Sequence, residues 1–518
     1  MKKVRNANKN HASKVLTNLC FGLAICVLLL ANGMIASACT GVYVGKKVSA
    51  NGSTIISRSE DIDSAHPKCF VVKKAAKHKA GSMFEDSYGF SMPYPSRTCQ
   101  YTACFDASKE EGEDAFAEVG HNEYGVAVTA TVSADAGEAA QKADPYVETG
   151  ICEISMGTVI LQQARSAREG VELLASIVDK YGAGEGNIVM IADQKEAWYM
   201  EILTGHQYIA IKMPEDKVAV FPNCFMLGKV NVKSKDVIAS KNLVSLAKKH
   251  NFLSTKDGQI VVAKTYGDGY GEGNVYRIYG GQKLLNPSIN VDVDQDFYDL
   301  FFKPAKKVTV KETMNVLRCR NEGTKYDPTT KGNEDLADVV IGNERQAECH
   351  VLEVRPNVPA KLAGLEWLCM GNSEFSVFLP YYGSLITDTA NSSKNDSMTY
   401  NPNSSFWAFR SLSALCGINR DLFGKNVKAY WSDYQDALIK QQEAVDKKML
   451  TLYKIAPKVA AKKATKLGKE VTTEAISRAQ SMFYELITYF AMGQGETQED
   501  AFTPSCMTNN VLPNYRLK

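Results

Sequence analysis

Cys39 stands where a cysteine can do chemistry. It follows Ala36-Ser37-Ala38, a small-x-small sequence of the kind at which a leader is cut, so cleavage there makes Cys39 a first residue. A cysteine attacks carbonyl carbon as the thiolate and needs a base or a favourable field. A first-residue cysteine brings its own base, because a free α-amine has a pKa near ~8 and is partly neutral at pH 7. No catalytic histidine is then required, which suits a chain with seven histidines and none paired at a motif spacing. The same position allows a second use, attachment of lipid to the sulfur. Lipoprotein leaders usually carry Leu three positions before the cysteine, where this chain has Ala36. The two uses are nearly incompatible, since a thioether sulfur cannot attack a carbonyl.

The elements that must position Cys39 follow it directly. Residues 40–46 and 53–59 are rich in β-branched side chains, with Ala50-Asn51-Gly52 between them. This predicts a hairpin. It would return Arg58 and Asp61 towards Cys39, Arg58 to stabilise a thiolate and Asp61 to hold the α-amine. The segment alone is as readily a surface Arg/Asp pair.

The chain has 518 residues, 45% hydrophobic and 23% charged, enough for a large core and unlike a disordered or fibrous chain. Lys and Arg total 60 against 58 Asp and Glu, without the basic excess of a nucleic-acid binder. Before the cut site, Lys2, Lys3, Arg5, Lys9 and Lys14 precede an apolar run of 13 residues, Leu19 to Ala31. That run is short for a membrane span and right for a signal peptide. Its removal takes five basic and no acidic residues, leaving a net charge of −3 and no other long apolar run. The protein is expected to be secreted, or held in a periplasm or at a cell surface, with no stable membrane span.

The Cys39-Thr40 start and Arg58-Ser59-Glu60-Asp61 resemble the opening of the N-terminal nucleophile (Ntn) hydrolases. Within them the chain resembles the bacterial cysteine dipeptidases, and more distantly the choloylglycine hydrolase and penicillin V acylase branch. The resemblance continues through EVGHNEYGVAVTAT at 118–131, TGICEISMGTVILQQARSARE at 149–169 and the Trp198…Glu201…Gly205-His206 pattern. It runs on through RNEGTKYDPTTKG at 320–332 and the stretch 348–385. It implies an α+β fold, a four-layer αββα sandwich of two antiparallel sheets with a helical C-terminal extension. The domains expected are a signal peptide at 1–38, a catalytic domain at 39–385 and a helical region at 386–518. It also implies a dipeptide or short-peptide substrate and a thioester acyl-enzyme on Cys39. The competing activities are another amide hydrolysis, of bile-salt or penicillin V type, a lipid-anchored binding protein, and an assembly role for the C-terminal helices. The oligomeric state, including a homo-oligomer, stays open.

Two further site residues come from the resemblance. Asn223 stands where related hydrolases use an asparagine near the scissile carbonyl, although Pro222-Asn223 alone reads as a turn. The dipeptidase pattern often has an arginine three positions later, where this chain has Met226. Arg277 stands at the place of an active-site arginine, and its own segment reads equally as a surface helix. A further oxyanion donor near Thr129 to Thr131 is not assignable.

Elsewhere the periodicity predicts one helix within 149–169 that runs on to about Lys180, four short strands over 187–222 in an antiparallel meander, and long helices at 425–454 and 458–492. Leu438, Ala444 and Leu450 read as helix-packing residues. The glycine run at 266–285 lacks Gly-Lys-Ser/Thr and is no phosphate loop. Asp292-Val293-Asp294-Gln295-Asp296 begins like a calcium loop but has Phe297 and Lys303 where glycine and glutamate are required. No zinc motif and no Gly-x-Ser-x-Gly elbow is present, and no metal or cofactor is expected. Cys20 and Cys26 leave with the leader; of the eleven that remain, Cys99 and Cys104 are close enough to pair or to stay as thiols.

Overall fold

The computed structural model describes residues 39–62, 66–107, 117–493 and 501–517. The signal-peptide assignment to 1–38 lies outside the described residues. One antiparallel sheet contains β1 (Thr40–Val44), β2 (Thr54–Asp61), β10 (Val218–Phe221), β12 (Phe301–Phe302), β13 (Gln346–Val354), β14 (Gly364–Met370) and β15 (Leu379–Tyr381). Its order is β12-β10-β1-β2-β13-β14-β15. The second holds β3 (Lys68–Lys73), β4 (Tyr101–Asp106), β5 (Val119–His121), β6 (Ala127–Ser133), β7 (Asn187–Ala192), β8 (Ala197–Ile202), β9 (Tyr208–Lys212) and β11 (Val237–Ala239). Its order is β11-β9-β8-β7-β6-β5-β4-β3.

The predicted hairpin forms. Thr40 lies opposite Ser59 and Gly41 opposite Arg58. Every residue of β1 and β2 is buried. In β2 this includes Arg58, Glu60 and Asp61, an expensive placement that demands partners. Alternate residues of a strand face opposite ways. Arg58 and Glu60 therefore share a face and reach the second sheet, where Arg58 bonds Ala130 O, while Asp61 bonds Asn343 outside it.

The four strands over 187–222 form, but they are not one meander. β7, β8 and β9 stay in the second sheet; β10 crosses to pair with β1 in the first. The turn between β9 and β10 is tied to the end of β1. Gly45 N–H donates to Lys217 O, Lys47 N–H to Glu215 O, and both Lys46 and Lys47 pair with the Glu215 carboxylate. These bonds commit the next strand to β1, and they deliver Asn223 beside Cys39.

The single helix expected to run to about Lys180 is two, α1 (Glu153–Gln163) and α2 (Ala167–Tyr181). Ala164 is extended, and Ser166 caps α2 by accepting from Glu169 N–H. The Glu169 carboxylate returns to Arg165 N–H. Ser166-Ala167-Arg168-Glu169 is a helix-start signature that a 3.6-residue periodicity overlooks. Both helices lie against the second sheet, and α3 (Glu272–Leu285) and α4 (Val310–Leu317) against the first.

Beyond residue 385 come α5 (Ser405–Ile418), α6 (Lys425–Ile455) and α7 (Pro457–Ala491). Gln435 accepts from Phe378 N–H, and Tyr381 shares a hydrogen bond with Thr472, so α6 and α7 are fastened to the edge of the first sheet. The buried face of α6 follows Leu438, Gln442, Val445 and Met449; Ala444 is exposed. Among the described residues no helix is long and apolar enough to cross a membrane.

Candidate active site

Cys39 is buried at the start of β1, and groups from distant parts of the chain close on it. Arg277, on α3, is 3% exposed rather than on the surface. Its Nη1 donates to Cys39 O at 2.6 Å and to Asn223 Oδ1 at 2.9 Å. Nη2 donates to Asn274 Oδ1 at 2.6 Å, and Nε to Gly273 O at 2.9 Å. The Gly280-Gly281 pair lets α3 come this close. A Cβ at 281 would lie 2.4 Å from Val220 Cγ1, and one at 280 would lie 1.9 Å from Asn321 Oδ1. Burial pulls the Arg277 guanidinium down to about 10, against the opposing pull of Asp61, Cys224 and Cys39. It stays a cation at neutral pH.

Asn223 completes this wall. Its Nδ2 donates to Ser133 O at 2.8 Å, and its own carbonyl accepts from Asn274 Nδ2 at 3.0 Å. An amide nitrogen carries two hydrogens, and Ser133 O takes one. Glu201 holds the following loop. Its Oε1 accepts from Met226 N–H, Leu227 N–H and Tyr199 OH at 2.8, 3.0 and 2.9 Å. Burial pushes this carboxyl up to about 7 against those three donors. Met226 itself is buried in the core. Of the Trp198–His206 pattern, Glu201 supports the site; His206 is bonded instead to Asp144 in an exposed turn.

Asp61 approaches from the same face as α3. Asn343 Nδ2 donates to its Oδ2 at 3.0 Å. Burial pushes its carboxyl up to about 7, and Arg277, Asn343 and Arg345 pull the other way. Continuing the β1–β2 register sets Glu60 opposite Cys39 and Asp61 one step beyond it.

Arg58 approaches from the opposite face. Its Nη2 lies 3.7 Å from Cys39 Sγ, and Nη1 donates to Ala130 O at 2.8 Å. Behind it lies a buried charge cluster that the sequence reading missed: Glu60, Lys68, Asp106, Glu118, Glu348 and His350. Glu60, Glu118 and Glu348 bring ligand atoms within 4.8 Å of one another, close enough to share a cation. The Lys68 ammonium already bonds Glu60 and Glu118, so that cation belongs to the chain. The usable signal was the spacing of two in Arg58/Glu60 and Glu348/His350, which puts each pair on one strand face. The Thr129 and Thr131 hydroxyls are engaged with His350 and Glu153. Cys99 and Cys104 remain separate thiols. A groove of about 650 Å³ along α7 shares no residue with this cluster.

Of the five residues singled out from the sequence, Cys39, Arg58, Asn223 and Arg277 thus meet at one strand end, and Asp61 faces Arg277. Comparison with known proteins places the chain that carries them. The model of peptidase family C69 matches residues 38–433. "Probable dipeptidase B" of Streptococcus pyogenes serotype M1 is 36% identical over 88% of this chain and 93% of its own. "Probable dipeptidase" of Salmonella dublin is 36% identical over 70% and 84%, and that of Latilactobacillus sakei 29% over 88% and 92%. The crystal structure of a mutant conjugated bile acid hydrolase from Clostridium perfringens aligns with 64% of this chain and 89% of that one, at 14% identity and a TM-score of 0.26. With the matched region spanning Cys39 and every group gathered round it, the chain belongs to peptidase family C69, a family of cysteine peptidases.

Proposed function

We propose that this protein is an exported dipeptidase whose nucleophile is Cys39, freed as a first residue by removal of the leader. The observation that carries the proposal is the meeting at Cys39 of Arg58, Asp61, Asn223 and Arg277, with Arg277 bonded to the Cys39 carbonyl and Arg58 facing its sulfur. The names of the relatives supply the substrate class. Helices against each of two facing antiparallel sheets support an αββα arrangement.

Cys39 Sγ attacks the carbonyl carbon of the scissile peptide while its α-amine takes the thiol proton. The carbonyl becomes a tetrahedral oxyanion, which the second Asn223 amide hydrogen stabilises. The C–N bond breaks, and the leaving amine takes the proton back from the α-ammonium. Water then adds to the thioester, giving its proton to the same amine, and the acid leaves as the thiol reforms. Asp61 and Arg277 fix the strand end that carries sulfur and amine together. Arg58 favours the thiolate.

The test is intact mass and N-terminal sequencing of the exported protein, followed by dipeptide assays. The expected product begins at Cys39 without added mass and hydrolyses dipeptides. A diacylglyceryl increment, or full activity in Cys39→Ser, overturns the proposal. Faster cleavage of glycine-conjugated bile acids than of dipeptides overturns the substrate class.

A further inference from the structure

The carboxylates beside Arg58 are paired with it only at long range. Arg58 Nη2 lies 3.7 Å from Glu60 Oε1 and 3.6 Å from Glu118 Oε2, level with its 3.7 Å to Cys39 Sγ. Among the described residues its one short bond goes to a neutral carbonyl, Ala130 O. Those carboxylates make their short contacts with Lys68, whose Nζ lies 2.5 Å from both Glu60 Oε2 and Glu118 Oε1 and also contacts Asp106. Two buried cations, one from each sheet, face the same two carboxylates, and Lys68 holds them.

We propose that Lys68 is a positioning residue for the Cys39 reaction: it keeps Glu60 and Glu118 on its own ammonium and so leaves the Arg58 guanidinium directed at the Cys39 sulfur. This rests on Cys39 being the nucleophile. Charge–charge energy in a buried setting depends steeply on distance, so sulfur and carboxylates at equal range compete on equal terms. Without Lys68, Glu60 can close to a bidentate pair with Arg58. The guanidinium is then neutralised and turned away, and the thiolate loses its stabilising cation. Lys68 is 1% exposed, and Asp106, Glu118 and Glu60 keep it protonated in spite of burial. Burial, with Glu60 beside it, pushes the Glu118 carboxyl up, against the pull of Lys68. The charged and titratable groups facing this pair are Glu60 on β2, Cys104 and Asp106 on β4, Glu118 before β5, Glu348 and His350 on β13, and Glu153 on α1.

The test is the pH dependence of iodoacetamide alkylation at Cys39, read from the mass of the Cys39 peptide in the exported protein. It needs no peptide substrate. Lys68→Met is expected to slow alkylation about tenfold at pH 7, with the midpoint about one pH unit higher. Glu60→Gln is expected to move the midpoint the other way and speed alkylation at pH 7 about threefold. The double variant removes a cation with an anion and should return to within about threefold of the unaltered protein. If Lys68→Met fails to fold, Glu60→Gln and the double variant decide the matter. An unmoved or raised midpoint in Glu60→Gln overturns the proposal, as does a double variant as slow as Lys68→Met. Opposed shifts in a protein that cleaves no dipeptide would sustain this inference and sink the dipeptidase reading; dipeptide cleavage with unmoved midpoints would do the reverse.

Discussion

The two sides of Cys39 are built on different physics. On the α3 side the contacts are ordinary hydrogen bonds: Arg277 reaches Cys39 O, Asn223 Oδ1, Asn274 Oδ1 and Gly273 O at 2.6 to 2.9 Å. On the second-sheet side the decisive distances from Arg58 to sulfur and carboxylates are 3.6 to 3.7 Å. Hydrogen bonds weaken sharply when geometry slips, whereas a field from a charge persists. On the proposed mechanism, one side would fix where the reacting atoms are, and the other would set how much negative charge the sulfur can bear.

With Cys39 as the proposed nucleophile, Cys39→Ala is expected to lower kcat/KM on the order of 10⁴-fold or more, with the circular-dichroism spectrum unchanged. The comparison is sharpened by exchanging each arginine for lysine. Arg277→Lys cannot span four acceptors and should cost about 10²-fold in kcat/KM. Arg58→Lys keeps the charge and should cost about tenfold, mostly recovered at higher pH. Equal losses, or a larger loss at Arg58, would break the distinction. Loss of the amide in Asn223→Ala should cost about 10²-fold, in kcat rather than KM.

A smaller effect tests the scaffold of the hydrogen-bonded side. The Glu201 carboxyl is raised to about 7 in the fold, above its ordinary value of ~4.3. A raised group contributes its full stability below the unfolded value and loses it as pH climbs through the folded one. From about pH 4.5 to about pH 7, the Tm of the unaltered protein should therefore fall by a few degrees relative to Glu201→Gln. Parallel Tm curves would show that Glu201 is not the group responsible. Least of all, Ser166→Ala should lower stability by about 1 kcal/mol through loss of the α2 cap and leave kcat/KM unchanged.

How far the site was legible follows from what each residue depends on. Cys39, Arg58 and Asp61 lie on one hairpin, and local spacing predicts their meeting. Asn223 and Arg277 come from segments whose own patterns say turn and surface helix; family resemblance alone singled them out. What brings them in is the crossing of β10 into the first sheet and the Gly280-Gly281 approach of α3, both tertiary. Lys68, Glu118 and His350 join the cluster only because one sheet faces the other, a register that no single strand encodes. The division between α1 and α2 is a different kind of miss, since Ser166 and Glu169 spell out the start of a helix.

The strand order also sets a sequence of events in time. β2 lies between β1 and β13, and Ser57 reaches His350 O across 293 positions of chain. Arg277 bonds the Cys39 carbonyl from 238 positions away. On a ribosome the sulfur emerges long before Asn223 and Arg277, and contacts this distant close late. Through that interval the hydrogen-bonded side does not exist. With Cys39 as the proposed nucleophile, the strand order would delay full reactivity until most of the chain has been made and shelter unfinished chains nearby.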